Sequence, residues 1–284
     1  MATSGQATTA VAVQRFSSGE PGAWSNSYLI SNGNEAVLFD VFQLRSDAKR
    51  LADSVDASGK RLTKVWISHA HPDHFLQLDL IVDRFPEAEV LTTPRVLDDL
   101  KADGPWMFEL LKERLGPEGP ERLIEPAPID NNTLSLGGQE VEVVEFGPGE
   151  AKHHACLVLA DRHAIVASDL VYNGAHLYLQ EHRLDGWRAR LDELEQLAAQ
   201  RELSTIHPGH GPAGGLSLIQ GTREYLQAFA TAIETGDLET ARDVILSRFP
   251  DHHVHQFLDV FSLPAYFPTP TVSGAAKATA DHAA

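Results

Sequence analysis

The chain has 284 residues and is 43% hydrophobic, enough for one large core or a core with a small appendage. Its formal net charge of −17 repels phosphate backbones and argues against a nucleic-acid partner, and its single cysteine excludes an internal disulfide. No run approaches the roughly 18 apolar residues of a membrane span, and the opening MATSGQATTA lacks the basic and apolar regions of a secretory signal, so the expectation is a soluble, cytoplasmic protein with no membrane partner.

Residues 1–9 and 272–284 are small and polar and read as frayed ends. Apolar runs at 27–30 and 36–40 flank SNGN, a hairpin turn signal. A helical pattern covers 46–54, and LTKVWI (62–67) is a strand that runs directly into SHAHPDH. Apolar residues at helical spacing continue from 75 to 85, with Pro72 suited to the first turn. Residues 93–125 read as an insertion with two helices, at 96–101 and 106–115. That insertion, with Trp106, Met107, Phe108, Leu110 and Leu111, is either packed on the core or a wall over a site. LSLGG, VEVVEFG, ACLVLA and AIVAS follow as strands, then a helix near 186–199, the short strand STI with PGHG, and helices over 216–262. Cys156 lies within ACLVLA and reads as a buried structural thiol. Strands followed by helices recur in both halves, which fits two packed sheets with helices outside.

Within this plan, three strand ends carry metal-binding side chains. A strand ending in His69-x-His71 sets both imidazoles on one side, because side chains alternate along a strand. Asp73 and His74 follow at once, so four potential ligands converge on one loop. Asp169 follows AIVAS, and His207 and His210 follow STI. Imidazole and carboxylate are the usual ligands of zinc and its neighbours.

HAHPDH, followed by SDL and PGHG, resembles the metallo-β-lactamase superfamily, and the similarity in order and spacing covers about residues 10–215. The resemblance implies an α/β fold, a four-layer αββα sandwich with a dinuclear metal site on its edge, here with a C-terminal helical extension over 216–270. It implies that His69 and His71 bind one ion, that Asp73, His74 and His210 bind a second, that Asp169 bridges them, and that Asp40 orients a ligand histidine. It makes His207 structural. The family's Gly-Asp is Ser168-Asp169 here, and the stretch that usually supplies a third histidine reads GPGEAKHH. Glu150, His153 and His154 are the candidates for that ligand. His153 is favoured, because nitrogen completes a more usual zinc set, with Glu150 next. Two zinc ions are expected, with iron or manganese as alternatives.

The chemistry implied is hydrolysis of a small-molecule lactone, ester, thioester or amide by a metal-bound hydroxide, with Asp73 holding and passing on the proton. Tyr172, Asn173 and His176 leave the metal edge together, and Tyr172 and His176 are candidates for binding substrate. Two other readings use the same residues: a mononuclear non-haem iron oxygenase, and a non-catalytic ligand-binding module. The apolar insertion and the tail aromatics Phe257, Phe261, Tyr266 and Phe267 point to an apolar substrate or a homodimer interface.

Overall fold

A computed structural model describes residues 11–267. The ends read as frayed, 1–9 and 272–284, lie outside the described residues. The strands are β1 (Ala12–Ser17), β2 (Asn26–Asn32), β3 (Glu35–Phe39), β4 (Arg61–Trp66), β5 (Glu89–Thr92), β6 (Ala127–Pro128), β7 (Thr133–Leu136), β8 (Gln139–Phe146), β9 (His154–Leu159), β10 (Ala164–Tyr172) and β11 (Thr205–His210). The helices are α1 (Arg45–Ala57), α2 (Pro72–Phe75), α3 (Leu78–Arg84), α4 (Pro94–Leu115), α5 (Leu184–Gln200), α6 (Ser217–Ile233), α7 (Leu238–Arg248) and α8 (Leu263–Tyr266).

One sheet runs β1-β2-β3-β4-β5-β6 and the other β11-β10-β9-β8-β7. The SNGN turn closes the β2–β3 hairpin with Gly33 at φ 61°, a left-handed conformation that glycine adopts without steric cost. Helical crossovers then make β3–β4 and β4–β5 parallel. Alternation on β9 and β10 builds the layers. Ala155, Leu157, Ala164 and Val166 join the core shared with the first sheet. Cys156, Val158, Ile165 and Ala167 face the other way, toward Trp187 and Leu191 of α5 and Tyr225 and Phe229 of α6. The result is the αββα sandwich. Cys156 is fully buried against the Ala167 carbonyl, and burial pushes its thiol well above the usual range, as a structural role requires.

The insertion corrects the sequence reading. Residues 94–115 form one helix, not two, and it continues through Pro105. Proline withholds one helical hydrogen bond there, but buried Met107 and Phe108 carry the apolar stripe past it. The run expected at 75–85 is instead split at Gln77, whose amide reaches the backbone oxygens of Gln43 and Glu118. Helices α6 to α8, with a π-helical turn at Phe257–Ser262, pack on the outer face of the second sheet. Among the described residues, no helix is long and apolar enough to cross a membrane.

Candidate metal centre

Cross-links between the sheets fix where the strand ends meet. Trp66 of β4 donates its indole N–H to the Ala155 carbonyl at 2.9 Å, and the Ala155 N–H bonds the Ser68 carbonyl at 2.7 Å. The loop carrying His69 and His71 is thereby tied to the start of β9. On the far side, Tyr28 and Asn26 of β2 both donate to the Pro208 carbonyl, which fixes the end of β11 and His210. Strand β10 shifts register on both sides of Ser168, whose φ is 47°, and this irregularity carries Asp169. Asp169 thus sits within β10, not just beyond its end as the sequence suggests.

The ligand-type side chains gather in overlapping sets; besides Asp40, His69 and His74, two stand out. His69, His71, Glu150 and Asp169 bring one ligand atom each to within 4.8 Å of one another, and Asp73, His74 and His210 form a second such set. The Asp169 carboxylate reaches across both. Its Oδ1 lies 3.4 Å from His74 Nε2, and its Oδ2 lies 3.2 Å from His210 Nε2 and 3.9 Å from His69 Nε2. Asp73 Oδ2 is 3.5 Å from both His74 Nε2 and His210 Nε2. Glu150 Oε1 is 3.0 Å from His71 Nδ1.

Each imidazole has its outward nitrogen engaged. Asp40 Oδ2 accepts from His74 Nδ1 at 2.8 Å, and the Ala23 carbonyl accepts from His210 Nδ1 at 2.8 Å. Glu181 Oε1 accepts from His71 Nε2 at 3.2 Å. Ser68 Oγ gives its proton to Asp40 Oδ2, so toward His69 Nδ1, 2.9 Å away, it accepts. These acceptors hold the proton on the outward nitrogen and turn the other lone pair inward, as metal-binding histidines require. Asp40 also accepts from the Ser68 N–H and the Ser168 hydroxyl, so a single buried carboxylate braces two of the strand ends.

The inward atoms lack partners. His69 Nε2, His74 Nε2, Asp73 Oδ2 and Asp169 Oδ1 are buried with no hydrogen bond among the described residues. Such orphans are rare and costly in a folded protein, and four of them converge here from nitrogen and oxygen donors suited to zinc, iron or manganese. The donor set fits divalent metal.

The buried charges oppose and stabilise one another. Burial opposes ionisation of Asp169, but His74 and His210 outweigh it and hold the carboxyl well below its usual range. Burial likewise opposes the charge on Asp73, and His74 and then His210 lower it. His74 and His210 are pushed down by burial but raised overall by these carboxylates. Burial also pulls on His71, but Glu150 and Glu181 raise it to about 10. His69 is driven well below the imidazole range by burial and by its histidine neighbours.

Residues 25–210 match the family model described as Metallo-beta-lactamase superfamily. The chain belongs to the metallo-β-lactamase superfamily. Among solved structures, the metallo-beta-lactamase family protein TTHA1429 from Thermus thermophilus aligns with a TM-score of 0.63 at 19% identity, over 90% of this chain and 91% of that one. A metallo-beta-lactamase from Pontibacter korlensis aligns at 0.58 and 19%, over 77% and 95%. In sequence, the chain is 36% identical over 70 residues to the uncharacterized protein YobT of Bacillus subtilis, a match spanning 25% of this chain and 30% of that protein. It is 24% identical over 213 residues to the human acyl-coenzyme A thioesterase MBLAC2, covering 67% of this chain and 74% of the other.

The geometry sorts the candidates that the superfamily pattern leaves open. Glu150, 2% exposed, lies in the cluster, while the favoured His153 does not. His153 turns to Asp99 of α4, with Nδ1 2.8 Å from Oδ2, because the 147–153 segment folds back on itself through a Gly149 N–H to Ala151 carbonyl bond. His154 is buried behind Glu150, with Nε2 3.2 Å from Oε2. Tyr172 lines the adjoining cavity, but its hydroxyl donates to Asp169 Oδ2 at 2.8 Å. His176 is outside the site. After Tyr172 the chain turns at Gly174 and carries His176 to Tyr225, His252 and His255. Asn173 bonds the Pro212 carbonyl, and His207 packs its ring on Tyr28. Sequence reasoning misses Glu181, which lies in a loop that carries no motif.

The two glycines of PGHG have distinct steric reasons. A Cβ on Gly211, at φ 86°, would meet the Asn173 carbonyl at 1.8 Å. On Gly209 it would fall 1.5 Å from Asp169 Oδ1. Gly209→Ala is therefore expected to displace Asp169 and weaken divalent-ion binding by at least about 10–100-fold, the usual cost of disturbing a ligand's support. Chelator competition on the purified variant measures this.

Proposed function

We propose that this protein is a metal-dependent hydrolase with a dinuclear centre, most simply of zinc, acting on a small-molecule ester, lactone, thioester or amide. The observation that carries the reading is the Asp169 carboxylate, within 3.9 Å of His69, His74 and His210, beside four buried ligand atoms with no hydrogen-bond partner, on the floor of a cavity of about 570 Å³ lined by His71, Asp73, Glu150 and Asp169. The relationship to an acyl-coenzyme A thioesterase supports acyl transfer to water as the reaction class.

His69, His71 and Glu150 would hold one ion, Asp73, His74 and His210 the other, and Asp169 would serve both. Bound divalent ions supply Lewis acidity and bring the pKa of water toward neutrality. The remaining work falls to side chains. Asp73 lines the cavity, and its carboxyl is held below the usual range, so it is ionised at neutral pH and placed to take a proton from the attacking water and return it to the leaving group. Burial, then Asp169 and Glu150, raises the Tyr172 phenol well above its usual value, so it stays protonated and steadies Asp169. Asp40, Glu181 and the Ala23 carbonyl orient the imidazoles.

Elemental analysis of purified protein, beside a panel of lactone, ester, thioester, amide, β-lactam and phosphodiester substrates, tests the reading. About two ions per chain with turnover of an acyl substrate is expected. The oxygenase alternative draws on His69, His71 and Glu150, a two-histidine, one-carboxylate set of the type that holds mononuclear iron. A single iron per chain, with no zinc after reconstitution, would favour it. It would also leave Asp73, His74 and His210 without a task.

Ion binding should be strongly pH-dependent. Neighbouring carboxylates raise His74 and His210, so each must surrender its inward proton to an ion. Protonation competes more strongly at low pH, and apparent affinity should rise with pH through and beyond the ordinary imidazole pKa of about 6.5. Chelator competition at several pH values should show this rise, with protons released on binding; a flat profile would contradict the assignment.

A further inference from the structure

The cavity above the cluster has an apolar side that the chemistry of hydrolysis does not require. Residues 103, 106, 107, 110, 111 and 114 of α4 all line it, a spacing that puts them on one face of the helix. Met107 is buried toward the core, yet Trp106 is 57% exposed and Leu110 36%. Large apolar side chains left uncovered together beside a site mark a surface that a ligand covers. The opposite wall is aromatic and starts at the cluster itself. The Tyr178 ring lies 5.0 Å from that of His71 and 5.5 Å from that of Phe261, and Phe257 lies 5.2 Å from His210. Aromatic and aliphatic side chains thus line the cavity from the ligand histidines outward between α4 and the 257–262 turn, with Gln180, Glu181 and Gln256 among them. Basic groups are few. Lys152 is already paired with Asp103 at 2.6 Å, and Arg114 is the other lysine or arginine on the lining. The walls therefore suit an uncharged chain, not a phosphate-rich group.

We infer that the substrate is an acyl compound with an extended apolar chain, seated between Trp106 and Leu110 on one side and Tyr178 and Phe261 on the other, with its carbonyl over the Asp73–Asp169 floor. This rests on the hydrolytic reading and adds the substrate class to it.

The test uses the metal-loaded enzyme and p-nitrophenyl esters from acetate to decanoate. kcat/KM should climb by up to about fourfold for each methylene buried, until the cavity is filled. Trp106→Ala and Phe261→Ala should flatten that climb, with the loss greatest for decanoate and least for acetate; Leu110→Ala serves if either fails to fold. Turnover of all esters with no dependence on chain length would overturn the inference while sparing the hydrolase. Should no ester be turned over, calorimetry with decanoate and butyrate still decides, since decanoate should bind at least about tenfold more tightly. Equal affinities would sink the proposal. So would a Trp106→Ala variant that changes oligomeric state without changing chain-length preference, which would make this face a contact between copies of the chain.

Discussion

Asp169→Ala is expected to abolish hydrolysis and to strip the purified protein of both ions. Its carboxylate stands between His69 of one set and His74 and His210 of the other. Its two oxygens lie within 3.4 Å of His74 and His210, and its Oδ2 is 3.9 Å from His69. Support lost around a ligand typically costs about 10–100-fold in affinity or activity, so loss of a shared ligand should exceed that at each position. The substitution also removes the charge that opposes two buried histidines and leaves the Tyr172 hydroxyl without its acceptor. Uncompensated buried groups of this kind destabilise a fold. Asp169→Asn is the useful companion, because it keeps the volume and an oxygen for Tyr172 while removing the charge. Elemental analysis, an ester assay and circular dichroism together separate loss of metal from loss of fold. If Asp169→Asn is well folded, keeps two ions and retains full activity, the cluster is not the reaction site.

What is legible in the sequence is what a short stretch of chain decides by itself. HAHPDH is a loop and a helix start, and Pro72 marks where Asp73 and His74 begin the helix; the strand stops at Trp66, however, so His69 and His71 sit in a loop that is held by Ala155 and Asp40 and not by strand alternation. PGHG is legible as a motif, but it lies within β11 and not after it, its Pro208 carbonyl is held by Tyr28 and Asn26, and the reason for Gly209 emerges only when Asp169 is brought against it. The readings that fail depend on long-range packing. Pro105 argues for a helix break, but the stripe through Met107 and Phe108 overrides it by burial. His176 follows closely on Tyr172 in the chain, yet the turn at Gly174 and the Ala175–His253 bridge send it to the helical extension. Glu181 braces His71 from a loop whose composition says nothing of it.

The choice between Glu150 and His153 shows the same limit most sharply, and it yields the second large effect. Ligand chemistry favours the imidazole, yet where the loop turns decides which side chain reaches the cluster. Glu150 Oε1 stands 3.0 Å from His71 Nδ1 and its Oε2 stands 3.7 Å from His69 Nε2, whereas His153 is spent on Asp99. Glu150→Gln should therefore empty the position served by His69 and His71 and spare the one served by Asp73, His74 and His210, leaving about half the metal. The loss at that position should exceed the roughly 10–100-fold typical of a supporting contact. His153→Ala should keep both ions, because it removes only a contact to α4. His154→Ala should fall between them, since it frees Glu150 Oε2 without removing a carboxylate oxygen. Elemental analysis of the three variants after identical dialysis reads out the order. If His153→Ala loses an ion while Glu150→Gln keeps two, the ligand is His153, and the loop must rearrange when metal binds. If neither variant loses metal, the first position is held by His69, His71 and Asp169 alone, and the carboxylate of Glu150 is there to balance the charge on His71.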